Sequence, residues 1–149
     1  MADPEDIACW QRLDARITTS GRLNAADPQR LAAAGVGRVI NLALADSPGA
    51  LADEAALVAA SGMDYRHIPV RFDAPQEADY AAFVAALEED EAPVHVHCIM
   101  NWRVSAFFYR YNRARGMAGA EARALMERQW RPEDSEHPVW ADFIRREDS

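Results

Sequence analysis

One stretch of the chain gathers the residue types of nucleophilic and anion-binding chemistry: His97-Cys98-Ile99-Met100-Asn101-Trp102-Arg103-Val104-Ser105. A thiol attacks as its thiolate, and a free cysteine titrating near about 8.5 holds little thiolate at neutral pH. A helix N-terminus and a neighbouring cation lower that value to about 3.5–7.5. Both belong to this stretch. A helical pattern opens around Arg103, so the loop amides and the helix dipole point at the sulfur, and Arg103 adds a full positive charge. The same amides, from Ile99 through Ser105, form a cradle for a tetrahedral oxyanion. Arg103 can grip two of its oxygens in a fork. Asn101 sits in mid-loop, where it tolerates left-handed backbone better than most residues. Ser105 is placed to hydrogen-bond the sulfur.

Such a loop must hang between a strand and a helix. Val94-His-Val-His97, after Pro93, reads as the strand, and Val104, Phe107, Phe108 and Tyr111 repeat at helical spacing behind it up to Gly116. Further strands are expected at Arg38–Leu44, Tyr65–Val70 and, more weakly, Arg16–Thr19. Helices are expected after Asp27-Pro28, from Ala50 to Ser61, from Ala78 to Glu88, through Ala122–Trp130, and after Pro138. Strands alternating with helices imply βαβ units. The expected class is α/β, with a small central, mostly parallel sheet flanked by helices and a helical C-terminal third. In such a sheet ligands bind off the carboxyl ends of the strands, where Cys98 falls.

The chain of 149 residues suggests one domain, with residues 1–12 as a polar arm and 145–149 as a tail. Its net charge of −8, with every base an arginine, suits neither nucleic acid nor an anionic membrane. Two cysteines are too few for a disulfide scaffold. No secretory signal or membrane span is readable, so cytoplasm and a reduced thiol are the expectation. No Cys/His spacing suits zinc, and no metal or cofactor is expected.

The loop resembles the signature of cysteine-dependent protein tyrosine phosphatases, His-Cys, five residues, Arg, Ser/Thr. More closely, the chain resembles the bacterial phosphatase-like family grouped with beta-lactamase hydrolase-like proteins. That likeness is carried by Thr19-Ser20-Gly21, Gly35-Val36 into Val39-Ile40-Asn41-Leu42, His67-Ile68-Pro69-Val70, Val94–Cys98, Asn101, Arg103–Phe107, Trp130-Arg-Pro132 and Pro138-Val139-Trp140. It spans about Ile17 to Ile144. One departure stands out: four residues separate Cys98 from Arg103, so Val104 occupies the usual arginine position while Ser105 keeps its distance from Cys98.

The resemblance implies a cysteine phosphatase-like fold and hydrolysis of phosphomonoesters, phosphotyrosine among them, through a cysteinyl-phosphate. The substrate is then a phosphorylated small molecule or a phosphoprotein. Cys98 would attack phosphorus, the loop amides and Arg103 would stabilise the developing charge, and a carboxylic acid would protonate the leaving oxygen. His97 would orient the loop from behind. Asp73, beyond the strand ending at Val70, is the first choice of acid; Asp46 is the second, and Glu77 and Asp79, better suited to capping a helix, come last. Two other readings stay open. The short loop has the length seen in rhodanese-like sulfurtransferases, which carry a persulfide on cysteine. A phosphate-binding module without turnover is the other.

Several residues have plainer readings. His67 and His95 alternate with apolar neighbours and read as structural. Cys9 reads as an incidental thiol. Trp102 is suited either to stack on an aromatic leaving group or to cover neighbouring helices. Arg66 and Arg71 either add positive potential or pair with surface carboxylates.

Overall fold

The computed structural model describes residues 3–146. Five strands form one sheet: β1 (Gln11–Arg12), β2 (Ile17–Ser20), β3 (Arg38–Asn41), β4 (Asp64–His67) and β5 (Val94–His97), in the order β1-β2-β5-β3-β4. All pairings are parallel except β1 on β2. The register places Ser20 and Asn41 beside His97, and Asn41 beside His67. Four strands therefore end level, and the segments that follow them converge at one edge.

Two expected strands are shorter than their apolar runs. Beyond β3, the Asn41 Oδ1 accepts the Ala43 N–H at 2.9 Å and turns the chain. Beyond β4, Pro69 lacks an N–H and interrupts the ladder, although Ile68 and Val70 still donate to Asn41 and Leu42. The strand at Val94–His97 lies where the sequence puts it.

Helices α1 (Asp27–Ala33) and α2 (Glu54–Ala60) cover one face. Helices α3 (Glu77–Glu88), α4 (Trp102–Ala114), α5 (Gly119–Glu127) and α6 (Val139–Arg145) belong to the larger core on the other. Side chains alternate accordingly. Val94, Val96 and Ile40 join the larger core, where Phe83 meets Phe107 and Phe108 edge-on at 5.4 and 5.1 Å. A fully buried phenylalanine of this kind contributes about 1.5–3 kcal/mol. Val39, Leu31 and Val58 make the smaller core. His95 and His97 point to the smaller side, where Trp10 stacks on His95 and Glu54 of α2 meets His97.

The N-terminal segment corrects the expectation of a polar arm. Pro4 and Ile7 are buried, and Gln11 and Arg12 pair with Thr19 and Thr18. The acidic residues lie outward, Asp3 on Arg12 and Asp6 on Arg30. An apolar residue every third position, Ile7 then Trp10, is enough to dock a segment whose remaining residues are polar. At the other end α6 runs to Arg145, so the expected tail begins a residue later than read, and Glu147–Ser149 lie outside the described residues. No described helix is long and apolar enough to cross a membrane.

Candidate active site

Cys98 follows β5 at the edge where the strands converge, and its side chain is 1% exposed. It forms the floor of a cavity of about 170 Å³, walled by Phe72, Met100, Trp102 and Arg103. Three of those walls are apolar and one is cationic.

The loop from Cys98 to α4 is held by its carbonyls. The Cys98 oxygen accepts from His97 Nδ1 at 3.1 Å, the Ile99 oxygen from the Arg22 N–H at 2.9 Å, and the Asn101 oxygen from the Ser105 N–H at 3.0 Å. Among the described residues, no backbone N–H from Ile99 to Val104 donates to a protein acceptor. A run of free amides beside a thiol is a binding site for an anion. The Arg22 contact needs a close approach: a Cβ on Gly21 would collide with the Ile99 carbonyl, so glycine is required there. Asn101 adopts φ 64°, the left-handed conformation expected of it. Its Nδ2 donates to the Cys9 carbonyl and to Thr19 Oγ1, both at 3.0 Å, which ties the loop to the N-terminal segment and to β2.

Arg103 lies in the first turn of α4, is 6% exposed, and donates from Nη1 to the Val70 carbonyl at 3.0 Å. That bond anchors one edge of the guanidinium and leaves other donors beside Cys98. The structure thus brings together Cys98, Arg103, Met100, Trp102 and the loop amides.

It does not bring in the carboxyls singled out in the sequence. Asp73 lies one residue beyond the cavity wall Phe72, half exposed and forked by Arg71 at 3.0 and 2.9 Å. That hydrogen-bonded guanidinium holds the Asp73 carboxyl below the usual carboxylate range. Asp46 is exposed on the turn after β3. Glu77 binds Arg110 and Arg146, and Asp79 caps the Gln76 N–H. Ser105 Oγ donates to the Trp102 carbonyl at 3.1 Å, so its hydroxyl proton is spent within the helix and not on the sulfur. Arg66 pairs with Asp64 and Glu89.

Other residues enter without having been foreseen. Phe72 meets Trp102, Trp130 and Trp140, with ring centres 6.0, 5.8 and 5.6 Å away, and Trp102 stacks on Trp130 at 5.0 Å. Trp102 therefore covers its neighbours, the second of the two readings open to it, and also lines the cavity. Phe72 stood between Arg71 and Asp73 in a segment already under suspicion, but it offered no chemistry of its own. Glu54 meets His97 Nε2 at 2.6 Å across the small core, and a single acidic residue 43 positions away carries no local signal of that. Cys9 is also less incidental than its setting suggested. It has φ 57°, its carbonyl holds Asn101, and burial first, then the charge of Cys98, pushes its thiol up.

The sequence and the fold have counterparts in known proteins. The family described as beta-lactamase hydrolase-like protein, phosphatase-like domain, matches residues 10–114. A beta-lactamase hydrolase-like protein of Agrobacterium fabrum is 37% identical over 90 residues; the match takes in 58% of this chain and 21% of that protein's length. A candidate phosphatase of Shewanella putrefaciens CN-32, known as a crystal structure, is 34% identical over 93% of this chain and 87% of its own, with a TM-score of 0.81. TpbA of P. aeruginosa, solved in complex with phosphotyrosine, shares the fold at 19% identity, with a TM-score of 0.71 over 96% of this chain and 92% of its own. The fold is that of the cysteine phosphatases, and the chain belongs to the family of beta-lactamase hydrolase-like, phosphatase-like domains.

Proposed function

We propose that the chain is a cysteine-dependent phosphatase acting on phosphomonoesters, with aryl phosphates such as phosphotyrosine as its substrate class. The observation that carries this reading is the cavity with Cys98 as its floor, Arg103 as one wall and six uncommitted amides in its loop. A phosphoryl group carries its charge on three peripheral oxygens in the transition state, and amides and a fixed guanidinium meet that charge without reorganising. The apolar walls Phe72, Met100 and Trp102 suit an aromatic leaving group better than a charged or sugar-like one. TpbA, which shares the fold, was solved with phosphotyrosine bound.

In this reading the Cys98 thiolate attacks phosphorus as the bond to the leaving oxygen breaks. Water then cleaves the cysteinyl-phosphate, releasing inorganic phosphate and restoring the thiolate. Asp73, on the loop that supplies Phe72, is the proposed proton donor to the leaving oxygen. As it stands its carboxyl is ionised on Arg71, so donation requires that fork to open.

Purified protein is expected to hydrolyse para-nitrophenyl phosphate and to be inhibited by vanadate, with turnover abolished in Cys98→Ser. Arg103→Lys keeps the charge and loses the planar fork, and is expected to lower kcat by about 10²–10³. Turnover that survives Cys98→Ser, or thiocyanate release from thiosulfate and cyanide in place of phosphatase activity, overturns the reading.

A further inference from the structure

We propose that Glu54 is a positioning residue for the chemistry at Cys98, acting through His97 on the direction of the first amide of the loop. The inference deepens the phosphatase reading and rests on Cys98 as its nucleophile.

The chain of contacts is short. Glu54 Oε2 lies 2.6 Å from His97 Nε2, and His97 Nδ1 lies 3.1 Å from the Cys98 carbonyl oxygen. A carbonyl can only accept, so Nδ1 carries a proton. One further proton is shared between Nε2 and the carboxylate. Both side chains are buried, at 2% and 5% exposure, so neither can exchange its partner for water.

The consequence follows from the geometry of the peptide group. The unit joining Cys98 to Ile99 is planar and trans, so its N–H points opposite to its C=O. Holding the Cys98 oxygen back on His97 therefore aims the Ile99 N–H away from the small core. The next unit is fixed in the same way, since the Ile99 oxygen is held by the Arg22 N–H. Two consecutive peptide planes of the loop are thus set from outside the cavity. Glu54 governs the one that begins at the nucleophile.

The groups packed around this pair do not compete for the role. On β5, His95 stacks 6.2 Å from His97, but its hydrogen bonds require a neutral ring. Ser20 Oγ donates to the Gly21 carbonyl and so accepts from His95 Nε2, while Thr18 Oγ1 donates to Nδ1. Burial holds His95 well below its ordinary value. From β4, Tyr65 takes a hydrogen bond from Asn41 of β3 and donates its own hydroxyl to Glu54, so it holds the carboxylate without touching His97; burial first, with the charge and hydrogen bond of Glu54 adding to it, pushes that hydroxyl up to about 12. Among the described residues Glu54 is the carboxyl partner of His97.

The test is a double-mutant cycle on the full chain, read with para-nitrophenyl phosphate and by NMR. Glu54→Gln is expected to lower kcat about tenfold or more while KM changes less than about threefold. In a His97→Ala background the same substitution is expected to change kcat less than about twofold. The Ile99 amide and His97 ring resonances should move in Glu54→Gln, with those of α3 and α5 unmoved. A Glu54→Gln enzyme with wild-type kcat, or one that loses as much in the His97→Ala background, overturns the proposal. Should Glu54→Gln not fold, the ¹⁵N spectrum of wild-type His97 decides alone: a bare Nδ1 at neutral pH refutes it and a protonated one supports it. Wild-type protein that hydrolyses no phosphomonoester sinks the phosphatase reading instead, and the ring and Ile99 resonances then judge Glu54 separately.

Discussion

Asp73 shows how a residue can be well placed in sequence and poorly placed in chemistry. It follows the right strand, and its neighbour Phe72 reaches the cavity. Its own carboxyl is turned to Arg71 and depressed below the carboxylate range. A depressed carboxyl is almost wholly ionised at neutral pH and has little proton to give, so in the role proposed for Asp73 the Arg71 fork is a restraint. Asp73→Asn is expected to slow phosphate esters of poor leaving groups most and para-nitrophenyl phosphate least. Arg71→Gln lets the Asp73 value rise toward that of a free carboxyl. It is therefore expected to speed the poor leaving groups near pH 5, by about threefold or more. Rates across a series of aryl phosphates check both. If Asp73→Asn leaves the dependence on leaving group unchanged, the proton comes from elsewhere, Asp46 being next in line.

Where α3, α4 and α6 meet, one carboxylate ties them together. Glu77 at the start of α3 binds Arg110 of α4 at 2.8 and 3.0 Å and Arg146, just past α6, at 2.8 Å. The Arg110 guanidinium lies 4.1 and 4.7 Å from the ring centres of Tyr80 and Phe143. The Arg110 hydrogen bond, then Arg146, pulls the Glu77 carboxyl down from 4.5 to about 2, against burial. A carboxyl depressed in the folded state adds stability above its unfolded value and loses it as pH falls through the folded one. Stability from this tie is thus full above about pH 4.5 and gone near pH 2. Glu77 is half exposed, and solvent screening reduces the effect to about 1 kcal/mol. Glu77→Gln is expected to lower Tm at pH 7 by about 2–4 °C and to flatten the decline of Tm between pH 4.5 and 2. Thermal unfolding followed across pH checks it. Helix spacing predicted these three helices, but the ion pair joins positions 33 and 69 residues apart, which no local pattern encodes.

Across the whole molecule, the N-terminal segment links stability to the site. Ile7 packs with Leu23, Leu31, Val39, Val58 and Met63, and the residues after it reach the loops around Cys98. Ala8 accepts the Gly21 N–H at 2.7 Å, and Cys9 accepts Asn101 Nδ2. Ile7→Ala leaves a cavity in the small core and is expected to cost about 2–4 kcal/mol. Because the same segment braces Gly21 and Asn101, the proposed phosphatase activity is expected to fall at temperatures below the global transition. Thermal unfolding and activity measured together on one sample check this, and activity that tracks only the fraction folded contradicts the coupling.

The amino acids alone specify the parallel sheet, most of the helices and the thiol at the end of β5, because these follow from apolar periodicity, breakers and a short contiguous loop. Asn101 in left-handed backbone was readable for the same reason, since its neighbours in the chain supply the constraint, and the burial of His95 followed from the apolar residues on either side of it. Phe72 in the cavity wall, Asp73 turned away, Glu54 beneath His97 and the docked first strand were not. Each depends on which distant surfaces meet once the sheet order β1-β2-β5-β3-β4 is set. Packing and desolvation choose among partners that a linear reading leaves equivalent, so one carboxylate in a chain of many ends up buried against His97.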